Sequence, residues 1–523
     1  MFKLLTSLKI SKSPGPDGIN PKILKESARE LAYPFKLLFD VSMKSGKIPS
    51  KWKIAEVRPI FKKGSKTTPG NYRPVSLTSI VCKLFETFLR DALCSHLLTN
   101  KLLSPHQFGF CKGRSCTTQL LVTINDWLFY LDQNIPVDAI YLDFRKAFDT
   151  VPHKRLLSKL HGYGIRNNVL KWIEDFLSNR TQYVSINQKE SDPTEVSSGV
   201  PQGSVLGPSL FIYFINDLPS VIKSLAKIFA DDTKAFSKIS SDEDRHNLQL
   251  SLDACAVWSD TWLLRFNGSK CKVLHLGYNN PNYDYYMRDG DIVSKLDDTV
   301  CEKDLGVFID NKLDFKEHII KQTNKARSMA GCINRNIINK TSDIMVPLFK
   351  AMIRPILEYG NAVWFPYFKK DRKRIENIQR TFTKKIHGMA NKSYTERMQL
   401  LKLPSLEFRR LRGDLIEVFK IIHEIYDPVT TTSLLTAHQN IKGTRKNNNL
   451  NLSKSGTKRN KSKMFFTNRI NNTWNNLPNY VVNADNVNDF KNKIDKHFIK
   501  YTYLTDSDLY IPYKAKVITP KSK

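Results

Sequence analysis

Two adjacent acids, Asp231 and Asp232, stand between an apolar run (Ile228, Phe229, Ala230) and a short mixed segment (Lys234, Ala235, Phe236). The pattern predicts a strand, a tight turn and a second strand, with the acids at the tip. Neighbouring side chains on a regular strand point to opposite faces, so both acids serve one site only if the turn redirects them. Two carboxylates side by side are costly to hold unless a cation neutralises them. A solvated turn would account for an isolated Asp-Asp pair, but the rest of the chain argues for more.

Upstream lies Ala139-Ile-Tyr-Leu-Asp-Phe-Arg-Lys-Ala-Phe-Asp149. Ala139 to Leu142 reads as a short buried strand ending in Asp143, and a helix follows from about His153 (His153, Leu156, Leu157, Leu160). A carboxylate that projects past a rigid strand is a good metal ligand. Asp143, Asp231 and Asp232 would supply three hard oxygen donors, which suits octahedral Mg²⁺. Two such ions about 4 Å apart stabilise the attacking and leaving oxygens of an in-line phosphoryl transfer. Between the acids runs Ser198-Gly-Val-Pro-Gln-Gly-Ser-Val-Leu-Gly-Pro208, too rich in Gly and Pro for a regular helix or strand. It suits a backbone that comes close to a ligand and then enters a helix from about Ser209. A helix N-terminus there favours anions such as phosphate. A plain turn would explain the glycines but not the polar Gln202 at the centre.

Together these stretches resemble the reverse transcriptase family, and more closely the polymerases of non-LTR retrotransposons of the jockey-like and RTE-like groups. The resemblance is ordered and long. It includes Ser13-Pro-Gly-Pro-Asp-Gly18, Asn71-Tyr-Arg-Pro-Val-Ser-Leu77, Gln107-Phe-Gly-Phe-Cys-Lys-Gly-Arg-Ser-Cys116, the strand ending in Asp143, the Pro-Gln-Gly loop and the Asp-Asp hairpin. It continues through Asn267-Gly-Ser-Lys-Cys-Lys-Val-Leu-His-Leu-Gly277 and Asp304-Leu-Gly-Val-Phe-Ile-Asp310.

The resemblance implies an α+β right-hand polymerase of fingers, palm and thumb, with an antiparallel palm sheet and an α-helical C-terminal region. It implies that Asp143, Asp231 and Asp232 bind two Mg²⁺ ions, with Mn²⁺ as a substitute, and that Asp232 is the most tolerant of the three. Phe148 would lie against the sugar of the incoming nucleotide and exclude a 2′-hydroxyl; simple core packing is the alternative. Gln202 and Gly203 would line the nucleotide and template side. Arg73 would hold the triphosphate, a role suited to its bidentate fork, with Lys62 and Lys63 as nearby candidates. Arg114 is a candidate for a template or phosphate contact, or else a solvated surface residue. Lys270, or Lys272, would act near the leaving pyrophosphate as a general acid or by neutralising charge. Leu305 and Gly306 would grip the primer end. Cys111 departs from the arginine usual in relatives and removes one positive charge from the fingers.

The formal net charge is +32 and the pI about 9.7, which argues for a polyanionic partner. Aromatics make up 11% of the chain, suited to stacking bases beside a tracked backbone. The expected partners are an RNA template, a DNA primer or target DNA, and dNTPs. The 8 cysteines show no zinc-site spacing, and reduced thiols fit a nuclear or cytosolic setting. No apolar run reaches the about 18 residues of a membrane span. The first ten residues are too short and interrupted for a signal peptide. The expected location is the nucleus, with a cytoplasmic ribonucleoprotein stage.

The chain divides into a helical extension (1–50), fingers and palm (51–310), a thumb-like helical region (311–426), a basic linker (427–463), a small helical C-terminal unit (464–503) and a tail (504–523). Many relatives carry an endonuclease ahead of the polymerase. None is expected here, so the target nick would come from another nuclease, or the chain is a truncated copy. The expected activity is RNA-directed DNA polymerisation. Its rivals are an RNA-dependent RNA polymerase and a catalytically silent or domesticated RNA-binding remnant.

Overall fold

The computed structural model describes residues 1–435, 437–438, 450–453 and 456–505. At its centre is a five-stranded sheet in the order Asp297–Thr299, Lys272–Leu276, Val137–Leu142, Asp232–Lys238, Leu225–Phe229. Every neighbouring pair is antiparallel except the edge strand Asp297–Thr299, which runs parallel to Lys272–Leu276. The middle strand, Val137–Leu142, is apolar almost throughout because both of its faces are covered. Val137 and Ala139 join one core with Trp127, Phe236 and Leu274, under the helix Cys116–Asp132. Ile140 and Leu142 join the other core with Ile228, Ala235 and Leu252, under the helix Asp242–Trp262. This period-2 partition between two cores fixes the register, since a one-residue slip would reverse every side chain. It also makes the end of the strand, where Asp143 departs, a rigid platform.

A second sheet places Ile54–Phe61 between Tyr72–Leu77, antiparallel, and Arg180–Ile186, parallel. Two short strands, Lys189–Glu190 and Thr194–Val196, pair with Arg180–Ile186. The Pro-Gln-Gly loop joins this sheet through the Ser76 amide, which donates to the Gln202 carbonyl at 2.7 Å.

Residues 1–50 form the helices Phe2–Thr6, Pro21–Glu26 and Ala28–Ser45. Asn20 caps the second with Pro21 in its first turn, and Gly46 ends the third in the left-handed region. Beyond residue 310 the described residues are mostly helical, including Lys316–Asn336, Lys369–Thr383 and Leu406–Ile422. Ile375, Ile378, Phe382 and Ile386 are buried, while Lys384 and Lys385 are exposed beside them.

Residues 464–498 fold into the same core as these helices. Phe466, Trp474 and Phe490 are fully buried in it with Leu415 and Phe419. Of the stretch read as a linker, residues 436, 439–449, 454 and 455 lie outside the described residues, as do residues 506–523 of the tail. The described parts of that stretch include the short helix Pro428–Thr431 and the strand Asn451–Leu452, which pairs with Ala437–His438. Among the described residues no helix is long and apolar enough to cross a membrane.

Candidate active site

The strand Leu225–Phe229 turns into Asp232–Lys238 through a two-residue tip, Ala230 and Asp231, with Phe229 facing Asp232 across the hairpin. Ala230 adopts φ +55°, a conformation glycine would take more readily. Leu142 faces Thr233, so Asp143 leaves its strand beside Asp232. The expected strand-end acid and hairpin acids therefore share one rim.

The electrostatics follow from this placement. Asp231 is held above the ordinary carboxylate range by burial first and by the charge of Asp143, while Arg73 and Lys62 pull it down. Asp232 is reached by solvent but crowded by protein. Desolvation, then Asp231 and Asp304, push it up to about 6, and Lys234 opposes them. Lys270 Nζ lies 3.1 Å from Asp143 Oδ2. Lys272 instead lies 3.6 Å from Asp297, so of the two lysines it is Lys270 that pairs with an acid of this rim.

Among the described residues no three His, Cys, Asp or Glu side chains converge closely enough to cage a cation. Asp143, Asp231 and Asp232 supply hard oxygen donors at one rim, so the donor set fits a hard divalent ion in kind. Three like charges repel, and Asp143 takes Lys270 as its counter-charge.

The Pro-Gln-Gly loop differs from expectation. Gly203, at φ +128°, approaches protein backbone: an added Cβ would stand 2.2 Å from the Ser76 carbonyl oxygen. The amides of Val205 and Leu206, just before the helix Gly207–Phe214, donate to buried Glu86 Oε2 at 2.6 and 2.8 Å. That helix start therefore already holds an anion, the protein's own carboxylate, in place of the expected phosphate. Gln202 Nε2 donates to Asp149 Oδ1 at 2.8 Å.

Phe148 is half-buried and stacks on Phe211 with ring centroids 4.3 Å apart. Arg73 is exposed on the strand Tyr72–Leu77, close enough for Asp231 to feel its charge. Leu305 and Gly306 form the tip of the hairpin Cys301–Asp304/Val307–Asp310, both at positive φ. Tyr359 Oη donates to the Leu305 carbonyl at 2.7 Å. Asp304 pairs with Lys234 in the core, and Lys234 Nζ also donates to Gln119 Oε1 at 3.1 Å.

Arg114 is a second correction. Its side chain is 6% exposed, so neither a template contact nor a solvated role fits. Nε donates to Asp427 Oδ2 at 2.7 Å, and Nη1 donates to the carbonyls of Ser104, Pro105 and Gln107. Cys111 is also buried; its thiol, pushed up to about 11 by desolvation, donates to the Gly109 carbonyl at 3.2 Å. The residues that sequence reasoning passed over are Glu86, Gln107, Asp149 and the Lys234–Asp304 pair. Each is a lone polar residue whose partner lies far along the chain.

A family profile described as "Reverse transcriptase (RNA-dependent DNA polymerase)" matches residues 60–324, half of the chain. The chain is similar to a "Probable RNA-directed DNA polymerase from transposon BS" of Drosophila melanogaster, 29% identical over 72% of this chain and 43% of that protein. It is similar to the "RNA-directed DNA polymerase from mobile element jockey" of the same organism, 28% identical over 74% of this chain and 43% of that protein. The jockey polymerase of Drosophila funebris is 28% identical over 81% of this chain and 47% of its own length. The chain thus spans less than half the length of these relatives. With the acids, the Pro-Gln-Gly loop and the Leu305–Gly306 hairpin all inside the matched span, the chain belongs to the reverse transcriptase family, among the polymerases of non-LTR retrotransposons.

Proposed function

We propose that this chain is an RNA-directed DNA polymerase that extends the 3′-hydroxyl of a DNA primer with dNTPs on an RNA template. The observation that carries the reading is the rim shared by Asp143, Asp231 and Asp232, with Lys270 on Asp143 and the charges of Arg73 and Lys62 felt at Asp231. In this reading the five-stranded sheet is the palm. The sheet bearing Arg73 belongs to the fingers, and the helices after residue 310 form the thumb.

Asp143, Asp231 and Asp232 would hold two Mg²⁺ ions, or Mn²⁺. When bound, such ions supply charge stabilisation to the attacking and leaving oxygens of an in-line transfer. Lys270, once it parts from Asp143, offers an ammonium to the leaving pyrophosphate, as charge or as proton donor. Arg73 grips triphosphate oxygens with its fork, aided by Lys62. Phe148, backed by Phe211, presents a ring that excludes a ribose 2′-hydroxyl. Gln202 keeps Asp149 oriented beneath the loop. The Leu305–Gly306 turn, held by Tyr359, supports the primer end. The working location is the nucleus, where chromosomal DNA would supply the primer.

The test is primer extension on poly(rA)/oligo(dT) with Mg²⁺ and dTTP, beside Asp143→Asn and Asp231→Asn. The reading expects extension by the unaltered chain and a loss of about 10²- to 10³-fold or more in both variants, each still binding RNA, as for loss of a principal electrostatic element. RNA binding with no extension by any of the three proteins would point to a silent binding remnant. A preference for rNTPs would point to an RNA polymerase.

A further inference from the structure

The Asp-Asp hairpin is held from outside its own sheet. Its outer strand, Leu225–Phe229, would be a free edge, but the segment His106–Gly109 lies along it. The Phe108 amide donates to the Ile228 carbonyl at 2.7 Å, and the Ile228 amide to the His106 carbonyl at 2.9 Å. Gln107 forms a parallel bridge with Ile228 and is 1% exposed. Its side-chain oxygen accepts two backbone amides: Gly109 at 2.8 Å and Ala230 at 3.0 Å. Ala230 immediately precedes Asp231 and holds the left-handed conformation of the tip. Gly109 presses on the same spot, where an added Cβ would lie 2.4 Å from the Ala230 nitrogen.

This bracket has its own anchor. Arg114 gathers the carbonyls of Ser104, Pro105 and Gln107 with Nη1, and binds Asp427 with Nε. The Asp427 amide returns a hydrogen bond to the Gly113 carbonyl at 2.9 Å. A line of polar contacts, part-buried at Asp427 and Arg114 and fully buried at Gln107, therefore runs from beyond the helix Leu406–Ile422 to the backbone next to Asp231.

We infer that Gln107, seated by Arg114 and Asp427, is a positioning residue that sets the tip conformation aiming Asp231 and Asp232. The inference deepens the polymerase reading above and rests on it for its consequence in catalysis. A two-residue tip with a non-glycine at positive φ has no internal reason to keep one conformation. The Gln107 oxygen supplies that reason by fixing the Ala230 amide. Misplacing a reacting group by about 1 Å costs on the order of 10²-fold in rate, so the bracket governs activity without touching substrate.

The experiment compares the full chain with Gln107→Met, which keeps length and burial but removes the acceptor, and Gln107→Glu, which keeps an acceptor oxygen. Three readouts are taken: backbone hydrogen exchange of residues 225–238, Mn²⁺ affinity by water-proton relaxation, and primer-extension kinetics against Mg²⁺. For Gln107→Met we expect faster exchange at Ala230 and Asp231 with Val137–Leu142 still protected. Mn²⁺ binding should weaken several-fold, and kcat should fall about 10- to 100-fold with KM for dTTP within about 2-fold. Gln107→Glu should recover the exchange protection. Gln107→Met with unaltered tip exchange and unaltered Mn²⁺ affinity overturns the proposal. So does uniform loss of protection across the palm sheet, which would make Gln107 an ordinary core residue. If the unaltered chain fails to extend primers, the polymerase reading falls, while exchange and Mn²⁺ affinity still decide the role of the bracket.

Discussion

Gly203 joins strain and close contact in one residue. At φ +128° it occupies a region open to glycine alone, and a methyl there would overlap the Ser76 carbonyl. Gly203→Ala should therefore lower stability by about 2–4 kcal/mol, from backbone strain together with overpacking. Urea unfolding of the variant checks this. If the glycine served mainly to admit nucleotide, stability would hold and KM for dTTP would rise instead. The same loop shows why single polar residues are hard to read from sequence. Gln202 was legible as a polar residue out of place among glycines, but its partner Asp149 was not. Glu86 lies in an amphipathic helix, Ile80–Thr99, where any acid reads as a surface residue; only the fold brings it to the amides of Val205 and Leu206.

The elements that were legible are those with strong local punctuation. The buried strand ending at Asp143, the hairpin at Asp231–Asp232 and the helix from His153 are set by pattern and breakers within a few residues, and all three are present. What ties the elements together was not legible, because it depends on which strands become neighbours. The far end of the central strand is an example. Asp138 is fully buried and accepts from Tyr285 Oη at 2.7 Å and from Asn280 Nδ2 at 2.8 Å, with His275 Nδ1 also 2.7 Å away. His275 Nε2 lies 3.2 Å from Asp298 on the edge strand. Burial alone would lower the His275 pKa, but the hydrogen bonds and charges of Asp138 and Asp298 outweigh it and leave it raised. A group whose folded pKa is raised lends stability in full below its unfolded value, ordinarily near 6.5, and loses that contribution as pH climbs through the folded value. Stability should therefore fall as pH rises from about 6 into the alkaline range. His275→Gln should be less stable at pH 6 and should show a flatter slope. Thermal melts of both proteins between pH 6 and pH 9 measure the difference; parallel slopes would remove His275 as the cause.

Across the whole molecule, the boundary drawn from composition at residue 464 is crossed by the core itself. Low apolar content between residues 427 and 463 suggests a linker, and composition carries no information about what packs on either side. Arg469 reaches back into the preceding helices and forms a two-pronged pair with Asp414, Nε to Oδ2 at 2.8 Å and Nη2 to Oδ1 at 3.0 Å. The two side chains are 1% and 0% exposed, and Nη2 also donates to the Ala362 carbonyl at 2.9 Å. Removing one partner of such a pair leaves a charge buried without its counter-ion, so Arg469→Met should cost about 3–5 kcal/mol. Removing both charges, in Arg469→Met with Asp414→Leu, should recover much of that loss, because well-packed apolar replacements of a buried pair are often close to neutral. Urea unfolding of the two variants and the parent decides between two pictures. If the C-terminal segment shares one cooperative core with the helices from residue 316 onward, Arg469→Met shifts a single transition for the whole helical region. If it is an appended unit, a minor early transition moves and the main one stays.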